Sequence, residues 1–389
     1  MTVIVTDVHY RMSLAVLRDL HEAGHRLICC EREGISAPLG FSSTAADETV
    51  TLPAETWPDS LYHLCEQTTA ADGEKPALLP VGADTLNTLA QPETRQRFAA
   101  VCGLWIPTAQ QLDDFNSKAK VAELAQSLGL PVPAAHVQRE GEAVTTFAAR
   151  LTYPVVVKPL CGEKLGLSAS QRYAIARDMT AFVPMYERFR QLAGEPPLVQ
   201  TYLPGGALGC SVLADHGKLV TAVCHRRIRE YPVSGGPSAC CDCIDAPQLV
   251  DMAAAMVEAT QYTGLAMFEF KEDGDGKPHL LEVNPRVWGT YPLTRRSGSR
   301  MSLLWAILAH NEGNPDKSLP LPPIPKPQPC RMHFTASDLC SAVGYAKRGQ
   351  WGRALGTVGD LLRPAVKDGL WEWGDVKPGL LYYRSLLRR

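Results

Sequence analysis

Between Gly264 and Arg286 the chain runs GLAMFEFKEDGDGKPHLLEVNPR, two strand patterns joined by a turn rich in Asp and Gly from Glu272 to Lys277. Such a segment folds as an antiparallel hairpin. Glu282 and Asn284 are two apart on the second strand, so both point to one face. Glu269 lies on the first strand, where the hairpin can bring it opposite them. An amphipathic surface hairpin would carry the same pattern. However, three oxygen ligands on one sheet face also suit a hard cation whose remaining ligands are waters and phosphate oxygens. Mg²⁺ is the expected ion, and Mn²⁺ fits the same donors.

The 389 residues exceed one compact core and imply two or three subdomains. A net charge of −2 favours neither nucleic acid nor an anionic membrane as a main partner. No apolar run reaches membrane-spanning length, and the first residues, MTVIVTD, resemble a buried strand rather than a signal peptide. A cytoplasmic location is the expectation. The 12 cysteines are then read as thiols. Cys29-Cys30 and the Cys240–Cys243 cluster lack a second Cys/His pair at zinc-site spacing, so metal-free loop thiols are expected there.

Residues 1–105 alternate strand and helix: Val3–Val5, Ser13–Ala23, His25–Cys30, Ser60–Thr68 and Ala77–Val81. That alternation predicts a parallel sheet covered by helices. A dinucleotide-binding fold is the competitor, but the first turn, Asp7 to Ser13, has no glycine, so NAD binding is rejected.

A helix is expected from Asn116 to Leu128. Lys118 falls in its first turn, where a cation is unfavourable unless an anion is near. Lys120 is the local alternative. Tyr153-Pro-Val-Val-Val-Lys158 is a buried strand ending in a lysine that needs a charged partner. The loop from Leu160 to Ser170 is small and glycine-containing but lacks the P-loop signature; its backbone N–H groups, Ser168 included, suit phosphate. Another strand, Pro197–Leu203, leads into Pro204-Gly205-Gly206. A hairpin over 209–224 ends in His225-Arg226-Arg227-Ile228-Arg229. On a regular strand Arg227 and Arg229 share a face and can grip a carboxylate or phosphate bidentately.

Glu282-Val-Asn284-Pro285-Arg286, preceded in order by Lys118, Lys158, Gln200 and Glu269, resembles the ATP-grasp superfamily, in its carboxylate–amine ligase branch. The specific motifs lie between 117 and 298, within a resemblance over residues 1–315. It implies an α/β (α+β ATP-grasp) fold: an N-terminal Rossmann-like parallel sheet (1–105), a small lobe with the phosphate loop (106–196) and a large lobe with the metal site (197–315). A Pro-rich connector and small helical C-terminal cap follow (316–389). It implies ATP and Mg²⁺ as cofactors, with metal on Glu269, Glu282 and Asn284. Lys118, Lys158 and Ser168 would meet phosphates. Gln200 and Leu203 match the hinge that reads adenine. The acid usually found just beyond, on the ribose, is replaced by Gly206 and Ala207. Arg286 would stabilise the transferring phosphoryl group, and Arg227 or Arg229 would orient the carboxylate.

The implied reaction converts a small carboxylate, of an amino acid or peptide-like metabolite, to an acyl phosphate that an amine attacks, releasing ADP and phosphate. The alternatives are an inactive nucleotide-binding module and a ligase using a nucleophile other than an amine. A homodimer is the family-based expectation. The tail's basic end (Arg384, Arg388, Arg389) and Trp371-Glu-Trp373 carry no chemistry in this reading.

Overall fold

The computed structural model describes residues 1–159, 167, 173–233 and 235–386. Strands Thr2–Thr6 (β1), Arg26–Arg32 (β2), Glu48–Leu52 (β3) and Ala77–Pro80 (β4) form the expected parallel sheet, in order β3-β2-β1-β4. All five β1 positions are buried, because helices cover both faces. Alternate residues supply two cores. Val3 and Val5 pack with Leu14, Leu17 and Trp305, whereas Ile4 and Ile28 pack with Leu61, Leu86 and Phe98.

The second sheet is small and antiparallel: Ala135–His136 (β5), Val155–Lys158 (β6), Ala174–Ala176 (β7) and Leu198–Thr201 (β8), in order β5-β8-β6-β7. The helix Met179–Ala193 covers it with Phe182, Tyr186 and Phe189, which pack on Phe147, Val155 and Val157.

The third sheet has seven strands: Ala207–Asp215 (β9), Lys218–Glu230 (β10), Ser238–Ile244 (β11), Gly264–Glu272 (β12), Pro278–Asn284 (β13), Arg331–His333 (β14) and Lys367–Asp368 (β15), in order β13-β12-β9-β10-β11-β14-β15. One face is closed by the helix Pro247–Ala259 through Leu249, Met252, Ala253, Met256 and Val257, the stripe expected from the sequence. Trp105 donates to the Ala214 carbonyl at 3.0 Å and Trp305 to the Trp105 carbonyl at 2.8 Å, joining this sheet to the N-terminal one.

The C-terminal segment is helical, as expected, but it is not only a cap. β14 pairs with β11 and β15 with β14, extending the third sheet. Three- and two-residue strands carry too little pattern to be seen in sequence. The segment also clamps the N-terminal region: Arg18 donates to Asp375 at 2.8 Å and to the Leu370 carbonyl at 2.8 Å.

Two expectations fail here. The first concerns the cysteines. Cys29 and Cys30 lie on β2, and Cys240, Cys241 and Cys243 on β11, all buried in strands rather than in loops. Burial pushes the Cys29 and Cys241 thiols up to about 12, so neither is a reactive thiolate. The second concerns Arg229. The β10–β11 ladder shifts register between Arg227 and Arg229, so the two side chains part. Arg229 turns into the C-terminal segment and donates two bonds to Asp338 (2.7 and 2.8 Å) and one to Asp360 (2.8 Å). It is a buried structural ion pair, not a substrate grip.

Removing one member of a buried pair leaves an uncompensated charge. Asp338→Ala should therefore lower unfolding free energy by about 3 kcal/mol in urea denaturation. A loss under about 0.5 kcal/mol, the scale of an exposed pair, would show that Arg229 re-pairs fully with Asp360.

Candidate active site

The hairpin forms in the register the chemistry needs. Glu269 on β12 stands directly opposite Glu282 on β13, and Met267 opposite Asn284. The register then shifts so that Phe270 pairs with Leu280, leaving Leu281 unpaired. Without this bulge Leu280 would share a face with Glu282; with it, Leu280 joins Phe268, Phe270 and Val283 in the core. Phe268, Phe270, Leu280 and Val283 thus share one face of the hairpin, while the other presents Glu269, Glu282 and Asn284.

Cations from three other elements surround that polar face. Lys118, in the first turn of the helix Lys118–Ser127, reaches Glu282 at 2.8 Å, which supplies the anion its helix-terminal position called for. Arg227 on β10 reaches Glu269 at 2.8 Å. It does so across β9, where Gly209 pairs with both Glu269 and His225. A Cβ on Gly209 would lie 2.2 Å from His225 Cε1, so only glycine leaves this room. Asn284 donates to Glu269 at 3.4 Å and accepts from Arg286 at 3.3 Å. Lys120 is not part of the group; it pairs with Asp113 (2.6 Å) and Asp114 (3.1 Å) on the preceding helix.

Lys158, at the end of β6, feels the same field. Burial and the nearby Lys118 lower its ammonium to about 8, against the pull of Glu282 and Glu269. Burial raises Glu269, and Glu282 adds to this against Arg227. Burial also opposes charge on Glu282, but Lys118, Lys158 and Arg227 outweigh it and lower its pKa. One carboxylate of the pair is held ionised and the other is pushed towards its proton. Among the described residues no three His, Cys, Asp or Glu side chains converge as metal ligands. The chain offers two opposed carboxylates and an amide oxygen, a donor set that fits a hard ion sharing its shell with water and phosphate.

Gln200, on β8, and Leu203, just after it, are both buried at the junction of the second and third sheets. Beyond them the structure reveals a residue that sequence reasoning missed. Glu272, at the end of β12, accepts from the Gly206 N–H at 3.0 Å, and its carbonyl accepts from Gly205 at 2.9 Å. A Cβ on Gly206 would lie 2.6 Å from Glu272 Oε2. The Glu272 carboxylate thus occupies the place of the missing side chain at 206. Its partner lies 66 residues away in sequence, and only the β9–β12 register brings them together.

The loop after β1 was also missed. Asp7, in the left-handed region at φ 57°, accepts from Gly82 N–H (3.0 Å) and Thr85 (2.7 Å) and so fixes the loop's start. The loop then meets the hairpin's end: Tyr10 is raised by burial and by Asp7, against the pull of Arg286, and Arg11 approaches Gly289. The expected phosphate loop 160–170, Ser168 included, lies outside the described residues apart from Leu167. Arg388 and Arg389 also lie outside them.

The chain resembles known proteins in sequence and fold. The family model described as "ATP-grasp in the biosynthetic pathway with Ter operon" matches residues 194–325. The carbamoyl phosphate synthase large chain of Thermomicrobium roseum is 27% identical over 289 residues, 72% of this chain and 26% of that protein. That of Gemmatimonas aurantiaca is 25% identical over 198 residues, 48% of this chain and 17% of the relative. The chain thus spans about a quarter or less of these relatives' length. Two solved structures share the fold. The biotin carboxylase domain of Hydrogenobacter thermophilus 2-oxoglutarate carboxylase, in complex with MgADP, ADP and bicarbonate, has a TM-score of 0.59 at 16% identity, covering 79% of this chain and 69% of that one. The L-amino acid ligase of Bacillus licheniformis has a TM-score of 0.55 at 16% identity, covering 82% of this chain and 74% of the ligase.

The lowered Lys158 has a pH signature. Between about 8 and the ordinary lysine range the unfolded chain holds a proton that the folded chain has released. Lys158 therefore makes stability rise with pH in that window. In a pH series of urea denaturations, Lys158→Met should remove this contribution and flatten the curve relative to wild type. Parallel curves would mean that Lys158 is as hydrated folded as unfolded.

Proposed function

We propose that the chain, which an ATP-grasp family model matches over residues 194–325, acts as an ATP-grasp enzyme: it uses ATP and Mg²⁺ to activate a small-molecule carboxylate as an acyl phosphate and couples it to an amine, releasing ADP and phosphate. The observation that carries this reading is the opposition of Glu269 to Glu282, with Asn284 on the same face and Lys118, Lys158, Arg227 and Arg286 around it.

Each residue has a physical task. Glu269, Glu282 and Asn284 would hold the metal, which would offset the triphosphate's charge. Lys118 and Lys158 exchange carboxylate partners for phosphate oxygens, which draws Lys158 back to its charged form. Gln200 and Leu203 line the adenine end. Glu272 supplies the ribose acceptor that positions 206 and 207 lack. Arg286, hydrogen-bonded to Asn284, is placed to follow charge as it builds on the transferring phosphoryl group. Arg227, beside Glu269, would orient the substrate carboxylate. No side chain acts as covalent nucleophile, because the carboxylate itself attacks ATP. The likeness to an L-amino acid ligase supports an amino-acid carboxylate. The likeness to a biotin carboxylase domain solved in complex with bicarbonate favours a second reading in which bicarbonate is the carboxylate.

The test is ADP release from MgATP with amino acid pools or bicarbonate, each with and without ammonia or an amino acid as amine. One carboxylate class should stimulate ADP release. Glu282→Gln should lower it at least about 100-fold with circular dichroism unchanged. Wild-type rates in that variant would remove the metal assignment, and AMP with pyrophosphate would exclude the acyl phosphate. Glu272→Ala should raise KM for ATP about tenfold with kcat little changed. An unaltered KM would show that Glu272 only braces Gly206.

A further inference from the structure

Two cysteines far apart in sequence meet where the C-terminal segment enters the third sheet. β11 and β14 pair antiparallel, with Cys240 opposite His333, Cys241 opposite Met332 and Asp242 opposite Arg331. The same register carried one step further sets Cys243 opposite Cys330, and the Cys243 N–H donates to the Cys330 carbonyl at 2.8 Å. Directly opposed residues send their side chains to one face. Both cysteines accordingly pack on the core that holds Leu213, Val223 and Met332. Opposed residues of such a ladder keep their Cα atoms about 4.5–5.5 Å apart, within the roughly 4.4–6.8 Å that a disulfide spans. The two thiols already interact. A hydrogen bond from Cys330 draws the Cys243 thiol below its ordinary value, against burial, and the Cys330 thiol is raised in exchange.

We propose that Cys243 and Cys330 are a redox-sensitive pair, which a small-molecule disulfide oxidises to a reversible bond that staples the C-terminal segment to the third sheet. Access separates this pair from the others. Cys210 on β9 stands directly opposite Cys224 on β10, and Cys65 touches Cys102, but all four are buried. Cys330 is only half-buried, at the end of a connector, residues 319–329, that is exposed or half-buried throughout. The chemistry is thiol–disulfide exchange in two steps. The Cys330 sulfur attacks one sulfur of the small disulfide and expels the first small thiolate, leaving a mixed disulfide. The Cys243 sulfur then attacks the Cys330 sulfur and expels the second. The two cysteine protons pass to the two leaving thiolates. The protein loses two electrons and the small disulfide gains them. Among thiols kept reduced, bonds of this kind are transient and act as sensors.

The placement gives the bond a mechanical consequence. Beyond Cys330 lie β14, β15 and the two aspartates, Asp338 and Asp360, that take Arg229 into its buried pair. In the reduced chain a short ladder holds the entry to all of these. In the oxidised chain a covalent bond holds it. The row of opposed residues runs on from Cys330 and Cys243 through His225 and Gly209 to Glu269. The staple thus ties the segment to the strand row that carries one acid of the candidate site.

Oxidised glutathione on the folded full chain decides the matter, and no substrate is needed. After alkylation and digestion the wild type should yield a disulfide-linked peptide pair joining Cys243 to Cys330, and dithiothreitol should reverse it. The linked chain should melt about 5 °C above the reduced chain. Cys243→Ser should trap glutathione on Cys330, because the second step is lost. Cys330→Ser should leave Cys243 unmodified, because the exposed entry is lost. Neither variant should melt higher after oxidation. Cys340, exposed on the helix Thr335–Lys347, should stop at the mixed disulfide and so reports that the oxidant is active. Modified Cys340 with no Cys243–Cys330 link in the same sample would overturn the proposal. So would a linked chain whose melting does not rise, or glutathione on Cys243 in Cys330→Ser. Equal linkage of Cys210 to Cys224 would show that the oxidant reacts with an opened chain, and would overturn it too.

Discussion

Two carboxylates held opposite each other on neighbouring strands are the constraint to which the rest of the site answers. Left alone, Glu269 and Glu282 would repel across the ladder. Four elements converge to prevent that: a helix start brings Lys118, a strand end brings Lys158, β10 brings Arg227 across Gly209, and the strand's exit brings Arg286 through Asn284. The balance is uneven, with Glu282 kept ionised and Glu269 pushed towards its proton. Glu269, Glu282 and Asn284 would hold a divalent cation there, whose charge would offset theirs. The site in this state is therefore internally compensated: its ion pairs are the ones that ligands would exchange.

The surrounding architecture serves that convergence. The third sheet supplies both acids and Arg227, the second sheet supplies Lys158 and the N-terminal sheet supplies the loop beside Arg286. The C-terminal segment locks these parts at a distance from the chemistry. It extends the third sheet through β14 and β15, takes Arg229 into a buried pair, and holds Arg18 of the N-terminal region.

What was legible in the sequence was local. The hairpin and the shared face of Glu269, Glu282 and Asn284 followed from strand alternation and a turn of known chemistry. The lysine at a helix start and the lysine at a strand end each declared an unmet charge, and the parallel sheet followed from its alternation of elements. What was not legible depends on register. The unpaired Leu281, which aims Leu280 inward, and the shift that parts Arg227 from Arg229 are single-residue slips that no composition or period records. Glu272 takes the place of an acid at 206 only because β9 and β12 pair as they do. The cysteines were misplaced because a small thiol is as suited to a buried strand as to a loop.

The central claim is that the face bearing Glu269, Glu282 and Asn284 binds a divalent cation together with ATP phosphates. Mn²⁺ binding followed by electron paramagnetic resonance, with and without a non-hydrolysable ATP analogue, tests it most directly. Wild type should take up Mn²⁺ only weakly alone and tightly with the analogue, and Glu269→Gln/Glu282→Gln should abolish the nucleotide-dependent uptake while remaining folded. Nucleotide-dependent Mn²⁺ binding that survives the double substitution would contradict the account and move the metal to another part of the molecule.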